Sequence, residues 1–205
     1  MKRRILAALG IGLTAAFLVP ATVPVSADTK AKPTLAQILL SDSKKDRNGF
    51  DHNPNDFDIV TQAVLLFPDL TAAASDPKAN LTVFLPTDYA FRILVKQLTG
   101  KTVWAEKDVF AAVASLGTDT VKQVLLYHIL GTRIDYRTAA KADGQEVTTL
   151  QGGTITIDVS GRYLQKLILI DKDPDFQDPR VIFPNIRALN GIAHGINRVL
   201  LPVNL

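Results

Sequence analysis

The three histidines are the side chains best suited to proton transfer near neutral pH, and each has a structural interpretation. His128 continues the apolar face of a predicted helix that carries Val121 and Leu125, so we expect its ring to be buried and hydrogen-bonded. His194 shares strand parity with the isoleucines two residues away on either side and is also expected to point inward. His52 lies in a polar segment and is predicted to be solvated. None of the three therefore marks a catalytic site.

Two acidic segments place oxygen-bearing side chains at alternate positions, as calcium-binding loops do. The side chains concerned are Asp171, Asp173 and Asp175 in one segment, and Asp51, Asn53, Asn55 and Asp56 in the other. In the first segment, Phe176 and Ile182 stand where the calcium-loop template has a glycine and a closing glutamate. In the second, Asp56 and Gln62 stand there. The sequence therefore predicts aspartate-capped turns and no bound metal, with Asp171, Asp173 and Asp175 as the candidate ligands if one binds.

No common catalytic motif is present: there is no Gly-x-Ser-x-Gly elbow, no His-Glu-x-x-His and no phosphate-cradling glycine loop. The sequence also has no cysteine. This absence excludes disulfides, thiolate catalysis, cysteine-ligated zinc and a lipid anchor on cysteine. The residues thus predict a protein that binds rather than catalyses, and that carries no cofactor.

The amino terminus has the three parts of a cleavable secretion signal of bacterial type. Three cations, Lys2, Arg3 and Arg4, precede an apolar run over residues 5–19, and small residues lead to Ala27. The run is shorter than the roughly 20 residues that a membrane-spanning helix needs. We therefore expect residues 1–27 to be removed. The mature chain, without a transmembrane anchor, is then secreted or held in the cell envelope.

Removal of this segment would also remove the net charge of the chain. The full sequence has 23 Lys+Arg against 20 Asp+Glu, and the segment holds three cations and no acid, which leaves 20 against 20. This balance argues against nucleic acid as a partner. The remaining 178 of 205 residues suit a single domain, which we predict over residues 34–203 after a flexible leader at 28–33.

Helical and strand patterns occupy different halves of the sequence. Helices are predicted after Thr34, over residues 59–67 up to Pro68, from Thr87 to Gly100, and on both sides of Gly117. Strands are predicted at residues 81–85, 154–159, 163–170, 186–188 and 192–201, with a hairpin turn at 151–154 and an exposed loop at 41–58. This segregation predicts an α+β fold with a largely antiparallel sheet.

Three segments, in order and spacing, resemble motifs of the fasciclin (FAS1) domain family. They are residues 82–91, Thr-Val-Phe-Leu-Pro-Thr-Asp-Tyr-Ala-Phe; residues 126–130, Leu-Tyr-His-Ile-Leu; and residues 190–202, Asn-Gly-Ile-Ala-His-Gly-Ile-Asn-Arg-Val-Leu-Leu-Pro. The likeness runs from about Thr34 to Pro202. Asn197 departs from the aspartate that is usual at its position, and the segments at 41–58 and 171–184 are longer than usual.

The resemblance implies a non-catalytic extracellular module of cell adhesion, folded as a wedge of β-sheet flanked by helices. Because the Tyr-His motif of animal relatives has been linked to adhesion, it also implies a binding role for Tyr127 and His128. The remaining motif residues are interpreted as folding devices, with a helix cap at Thr87 and a tight turn at Asn190 and Gly191. The residues in this group are Thr87, Asp88, Asn190, Gly191 and His194.

Three functions stay open at this point. The leading hypothesis is a secreted adhesion or surface-interaction protein whose partner is a cell-surface, matrix or envelope protein or a glycan. A carrier or sensor for a small apolar ligand or glycan would need a pocket between sheet and helices. A carboxylate-dependent hydrolase would need two carboxylates that face one cleft, about 5–10 Å apart.

Overall fold

The computed structural model describes residues 32–42, 49–161 and 166–204. The predicted signal segment at residues 1–27 and most of the predicted leader lie outside the described residues. The helices found in the described parts are α1 Leu35–Asp42, α2 Asp58–Leu65, α3 Pro68–Ser75, α4 Asp88–Thr99, α5 Glu106–Ala114, α6 Thr118–Tyr127 and α7 Tyr136–Ala139. The strands are β1 Leu81–Pro86, β2 Ile129–Leu130, β3 Glu146–Thr148, β4 Thr154–Ser160, β5 Lys166–Ile170, β6 Val181–Arg187 and β7 Gly191–Ile196. The predicted α+β class is confirmed.

The strands form two sheets rather than the single sheet expected. One has the order β2-β1-β7-β6 and the other the order β3-β4-β5. Every strand pair is antiparallel except β1 and β7, which run parallel from the pair Leu81 and Gly191 to the pair Pro86 and Ile196. The prediction of a largely antiparallel arrangement is therefore confirmed, and the parallel pair is an addition that the sequence pattern did not indicate.

Both faces of the central strands β1 and β7 are covered, because helices pack on one face of the sheet and the three-stranded sheet packs on the other. Leu85 and Ala193 belong to the core beneath the helices, whereas Phe84 and Ile196 belong to the core between the sheets. All six residues of β7 are buried. A strand covered on both faces has no polar side to show, which explains its nearly continuous apolar sequence.

Several predicted elements have different bounds in the structure. Helix α2 ends at Leu65, two residues before the predicted end at residue 67, and Pro68 lies in the first turn of α3, a helix that the sequence pattern did not indicate. Strand β6 begins at Val181, inside the segment expected to be a loop, and β7 ends at Ile196 instead of continuing to Leu201. Two register shifts in the pairing of β6 with β7 break the alternation of its side chains, so that no strand pattern is visible there.

The segment at residues 41–58 is not the wholly exposed loop that was expected. Its described part packs against the start of α4, where Tyr89 N–H donates to the carbonyl of Pro54 and Asp88 N–H donates to the carbonyl of Asp56. The side chain of Asp56 is buried. His52 is exposed as predicted, with its backbone in the left-handed region at φ 68°, and Asn53 and Asn55 are exposed as well.

The predicted boundaries of α4 are confirmed at both ends. The hydroxyl of Thr87 accepts a hydrogen bond from Ala90 N–H at 3.3 Å, and Gly100 ends the helix in the left-handed conformation at φ 72°.

Among the described residues, no single helix is long and apolar enough to cross a membrane. Helices α5 and α6 together have the length and composition of a membrane span, but the chain bends by 105° between them.

Candidate functional site

The two residues of the Tyr-His motif are buried rather than exposed. Tyr127 is 0% and His128 is 3% exposed. The His128 ring donates from Nδ1 to the carbonyl of Val124 at 2.7 Å, and its Nε2 accepts from Leu200 N–H at 3.0 Å. Burial lowers the pKa of His128 to about 4, so the ring is neutral at physiological pH. The expectation of a buried, hydrogen-bonded histidine is confirmed, and neither side chain faces a surface partner.

His194 and Asn190 are also buried and fully engaged. The Nε2 of His194 donates to the carbonyl of Ile134 at 3.0 Å, and its Nδ1 accepts from Asn185 N–H at 3.3 Å. Asn190 sits in the bend between β6 and β7. Its Oδ1 accepts from Leu35 N–H. Its Nδ2 donates to two carbonyls, that of Ala74 in the last turn of α3 and that of Asp76 just after this helix. Its amide therefore joins the start of α1, the end of α3 and the last hairpin.

Five carboxylates meet where the first turns of α2, α4 and α5 converge. This group, here termed the carboxylate cluster, consists of Asp51, Asp56, Asp58, Asp88 and Glu106. One ligand oxygen from each of Asp51, Asp56 and Asp58 lies within 4.8 Å of the others, and the same holds for Asp58, Asp88 and Glu106. Asp58, Asp88 and Glu106 are the first residues of α2, α4 and α5. The partial positive charge at a helix amino terminus favours an acid there.

Hydrogen bonds to backbone amides explain part of this arrangement. Asp88 Oδ1 accepts from Ile59 N–H at 2.9 Å, so the first residue of α4 satisfies a free amide of α2. Asp58 Oδ2 accepts from Asp51 N–H at 3.0 Å. Glu106 Oε2 accepts from the N–H of the next loop residue, His52, at 2.9 Å. The cluster thereby fastens the loop before α2 to the three helix ends.

Burial dominates the electrostatics of the cluster. It raises the pKa of both members of the adjacent pair Asp56 and Asp88, and it also raises the pKa of Asp58. The nearby guanidinium of Arg92 donates to Glu106 Oε1 at 2.9 Å. The positive charge of this arginine is therefore paired with Glu106, whose other oxygen accepts from His52 N–H.

Sequence reasoning found part of this cluster and missed the rest. It singled out Asp51 and Asp56 as loop oxygens and Asp88 as a motif residue, but it did not consider Asp58 or Glu106. The available signal was that each of three helices begins with an acid. The sequence offered no means of knowing that these three helix ends meet.

The candidate ligands of the other acidic segment are not assembled in the same way. One carboxylate oxygen of Asp171 accepts a hydrogen bond from Asp173 N–H, and the other accepts one from Leu201 N–H. Oδ1 of Asp173 accepts from Asp175 N–H. Burial raises the pKa of Asp171 to about 6. Among the described residues, no group of three ligand atoms from this segment comes together. Its carboxylates serve mainly to cap its own turns.

The cavities bear on the two alternative functions. An apolar cavity of about 60 Å³ lies between the helices and the four-stranded sheet and is lined by side chains such as Leu39, Val60 and Leu125. Pockets for drug-sized ligands usually have about 300–1,000 Å³, so this cavity is small for a carrier. The carboxylates that lie close enough for hydrolysis, Asp56, Asp58, Asp88 and Glu106, are at most 4% exposed, which leaves no cleft for a substrate between them.

Two exposed aromatic residues flank the carboxylate cluster in the sequence. Trp104 is 69% and Tyr89 is 50% exposed. Tyr89 directly follows Asp88, and Trp104 lies two residues before Glu106. Both aromatic residues are therefore held at the same end of the helical layer. We refer to Tyr89 and Trp104 together as the aromatic pair.

Comparison with known proteins agrees with this architecture. The sequence profile of the fasciclin domain matches residues 56–202, which is more than half of the chain. The chain therefore belongs to the fasciclin domain family. Its fold is similar to that of a FAS1 domain pair from the insect cell adhesion molecule fasciclin I, with a TM-score of 0.59 and 17% sequence identity. The similarity covers 83% of this chain and 51% of the domain pair, so this chain spans about half the length of that solved chain. No curated protein matched the sequence.

Proposed function

We propose that this protein is a secreted, non-catalytic adhesion or surface-interaction module of the fasciclin type. It acts outside the cell or in the cell envelope, and its partner is a surface, matrix or envelope protein or a glycan. Membership of the fasciclin family supports this function, as does the similarity to a domain pair from a cell adhesion molecule. The amino-terminal secretion pattern at residues 1–27 supports the location.

The observation that carries the proposal furthest is the exposure of the aromatic pair. Large aromatic side chains are normally buried, and where they stay exposed they are enriched at contact surfaces because they supply much apolar area for little loss of conformational entropy. Trp104 is the only tryptophan of the chain, and it faces solvent. We therefore place the contact surface at Tyr89 and Trp104 rather than at the buried Tyr127 and His128.

The test is binding of the purified protein to immobilised matrix proteins, cell-envelope fractions and a glycan array. Trp104→Ser and Tyr89→Ser are expected to weaken binding at least about tenfold, as hot-spot residues do, while leaving the melting temperature unchanged. Leu66→Ser is the matched control. Leu66 is also exposed, at 53%, but it follows the carboxyl end of α2, about 12 Å from the cluster end of that helix. Equal losses in all three variants, or none, would contradict the proposal.

A second candidate function rests on a basic surface pocket of about 310 Å³ lined by Lys32, Arg133, Arg187 and Asp135. Arg133 is held in place by the backbone, since it donates to the carbonyls of Ala188 and Gly191. Three cations against one acid favour a carboxylated or sulfated glycan. Arg187→Gln should then weaken binding to heparin in a salt-dependent way, whereas Trp104→Ser should not.

A further inference from the structure

Four buried oxygens of the carboxylate cluster have no hydrogen-bond partner among the described residues. They are both carboxylate oxygens of Asp56, Oδ1 of Asp58 and Oδ2 of Asp88. The three residues are 4%, 1% and 0% exposed, respectively. Buried carboxylate oxygens are almost always paired, because an unpaired buried charge is very unfavourable. Each of these oxygens therefore needs a proton or a cation.

Protons shared between carboxyl groups do not account for all of this need. The carboxyl of Asp56 lies against those of Asp88 and Asp51, and one proton in each pair would satisfy the oxygens of Asp56 and one oxygen of Asp88. Oδ1 of Asp58 would still have no partner among the described residues. Asp56 and Asp58 each bring one oxygen to the group that they form with the half-buried Asp51.

The acids around these oxygens place several negative charges close together. The carboxylates of Asp51, Glu106 and Asp42 all lie near that of Asp58. The guanidinium of Arg92 is paired with Glu106. The amino ends of α2, α4 and α5 offer only partial positive charge, equivalent to about half a unit each and already engaged with the acids that begin these helices.

The donor set identifies the kind of cation. All candidate ligands are carboxylate oxygens, which suit hard cations, and no imidazole or thiolate is present to select zinc or copper. The ligand oxygens of Asp51, Asp56 and Asp58 lie within 4.8 Å of one another, which is no wider than opposite positions around one Ca²⁺, whose bonds to oxygen are about 2.4 Å long. Mg²⁺ usually keeps several waters, for which a site with buried carboxylates has little room.

We propose that Asp51, Asp56 and Asp58 bind one Ca²⁺ ion, with the carboxyl group of Asp88 next to it. The half-exposed Asp51 provides the route by which the ion enters. This site goes beyond the adhesion function proposed above, and it differs from the expectation of no metal drawn from the calcium-loop template. That template required all ligands in one loop, whereas here the loop supplies Asp51 and Asp56 and the first residue of α2 supplies the third ligand, Asp58.

The experiment is calcium titration of the full-length protein after treatment with a chelator. We expect one Ca²⁺ per chain by calorimetry, with a Kd of about 10⁻⁴ M or below, and a melting temperature several degrees higher in CaCl₂ than in chelator. Asp56→Asn should lose both effects. In chelator, Asp56→Asn should melt no earlier than the parent, because the substitution removes a like charge.

Two further variants keep the test decisive. Asp51→Asn, at a half-exposed position, should bind Ca²⁺ at least about tenfold more weakly even if Asp56→Asn fails to fold. Asp175→Asn removes the same charge from an exposed position in the other acidic segment and should behave like the parent. Identical melting of the parent in CaCl₂ and in chelator, with no heat of binding, would show that protons alone complete the cluster and would overturn the proposal. An unchanged calcium response in Asp56→Asn would overturn it as well.

Discussion

At the scale of single residues, buried polar groups of this domain fall into two kinds. His128, His194 and Asn190 have a hydrogen-bond partner for each of their side-chain polar atoms, so they are fully paired, structural residues of the core. Asp56 and Asp58 are buried equally well, yet they keep oxygens without a hydrogen-bond partner among the described residues. The first kind explains why the Tyr-His motif is unsuited to surface contact. The second kind needs a proton or a bound cation.

His128→Ala is expected to destabilise the domain by about 2–4 kcal/mol, because it leaves a cavity and strands the N–H of Leu200. The effect should depend on pH. Folding lowers the pKa of His128 from 6.5 to about 4, so the unfolded chain binds a proton that the folded chain does not between these values. The stabilisation that the neutral His128 ring gives the parent protein is therefore complete above pH 6.5, and it is lost as the pH falls towards 4.

Urea denaturation of parent and variant at several pH values measures this effect. At about 1.4 kcal/mol per pKa unit, the advantage of the parent should shrink by about 3 kcal/mol over the window. His52→Asn is the control, because His52 is exposed and asparagine tolerates its left-handed backbone. A variant at His128 with unchanged stability but lost binding would instead identify an exposed contact residue.

At the scale of elements, the parallel pairing of β1 with β7 organises the domain. The two strands are the central strands of the four-stranded sheet, and each contributes to both cores. Their pairing starts at Leu81 and Gly191, directly beside the amide of Asn190 that holds α1. The helical layer and the sheet are therefore joined at this corner, where the backbones approach too closely for a side chain.

Gly191→Ala should disrupt this corner. A Cβ atom there would lie 2.5 Å from the carbonyl oxygen of Leu81 and 2.8 Å from Cδ1 of Leu35. Since backbone cannot yield as a side chain does, we expect a loss of about 1–3 kcal/mol and faster amide hydrogen exchange in β1 and β7. Gly131→Ala is the matched control, because its Cβ would meet only the Leu150 side chain, at 3.4 Å. Equal stability of the two variants would refute the close-packing explanation.

At the scale of the whole molecule, the described residues form one domain with a helical core, a core between sheets, and no cysteine to strengthen either. A domain of this size can be stable through burial alone. Its proposed setting outside the cell depends on the amino-terminal segment, whose sequence has the pattern of a cleavable signal.

Expression of the full-length gene in a bacterial host tests this setting. The exported protein should begin at Asp28, because Ala27 supplies the small residue that a signal peptidase requires. Ala27→Arg should block the cleavage and leave a protein 27 residues longer, whereas Asp28→Asn should be processed normally. Intact mass spectrometry distinguishes these products. Exported parent protein that retains Met1 would contradict the prediction.

The sequence by itself determined the features that depend on neighbouring residues. The cap at Thr87, the left-handed stop at Gly100 and the apolar face that carries His128 are all local, and all are found where the sequence predicts them. The fasciclin motifs are local in the same sense, which is why they indicated the family. Where local patterning is broken, as in the bulged strand β6, the prediction of the strand's start was wrong.

Only the tertiary structure decided which distant residues meet. The parallel pair joins residues more than 100 positions apart, and it leaves no local pattern because both faces of both strands are buried. The carboxylate cluster joins Asp58, Asp88 and Glu106, whose helices look unrelated in the sequence. Their oxygens come within 4.8 Å because the packing of apolar faces elsewhere on α2, α4 and α5 fixes where the helices begin. The candidate calcium site is therefore a consequence of core packing, which a search for a loop motif could not find.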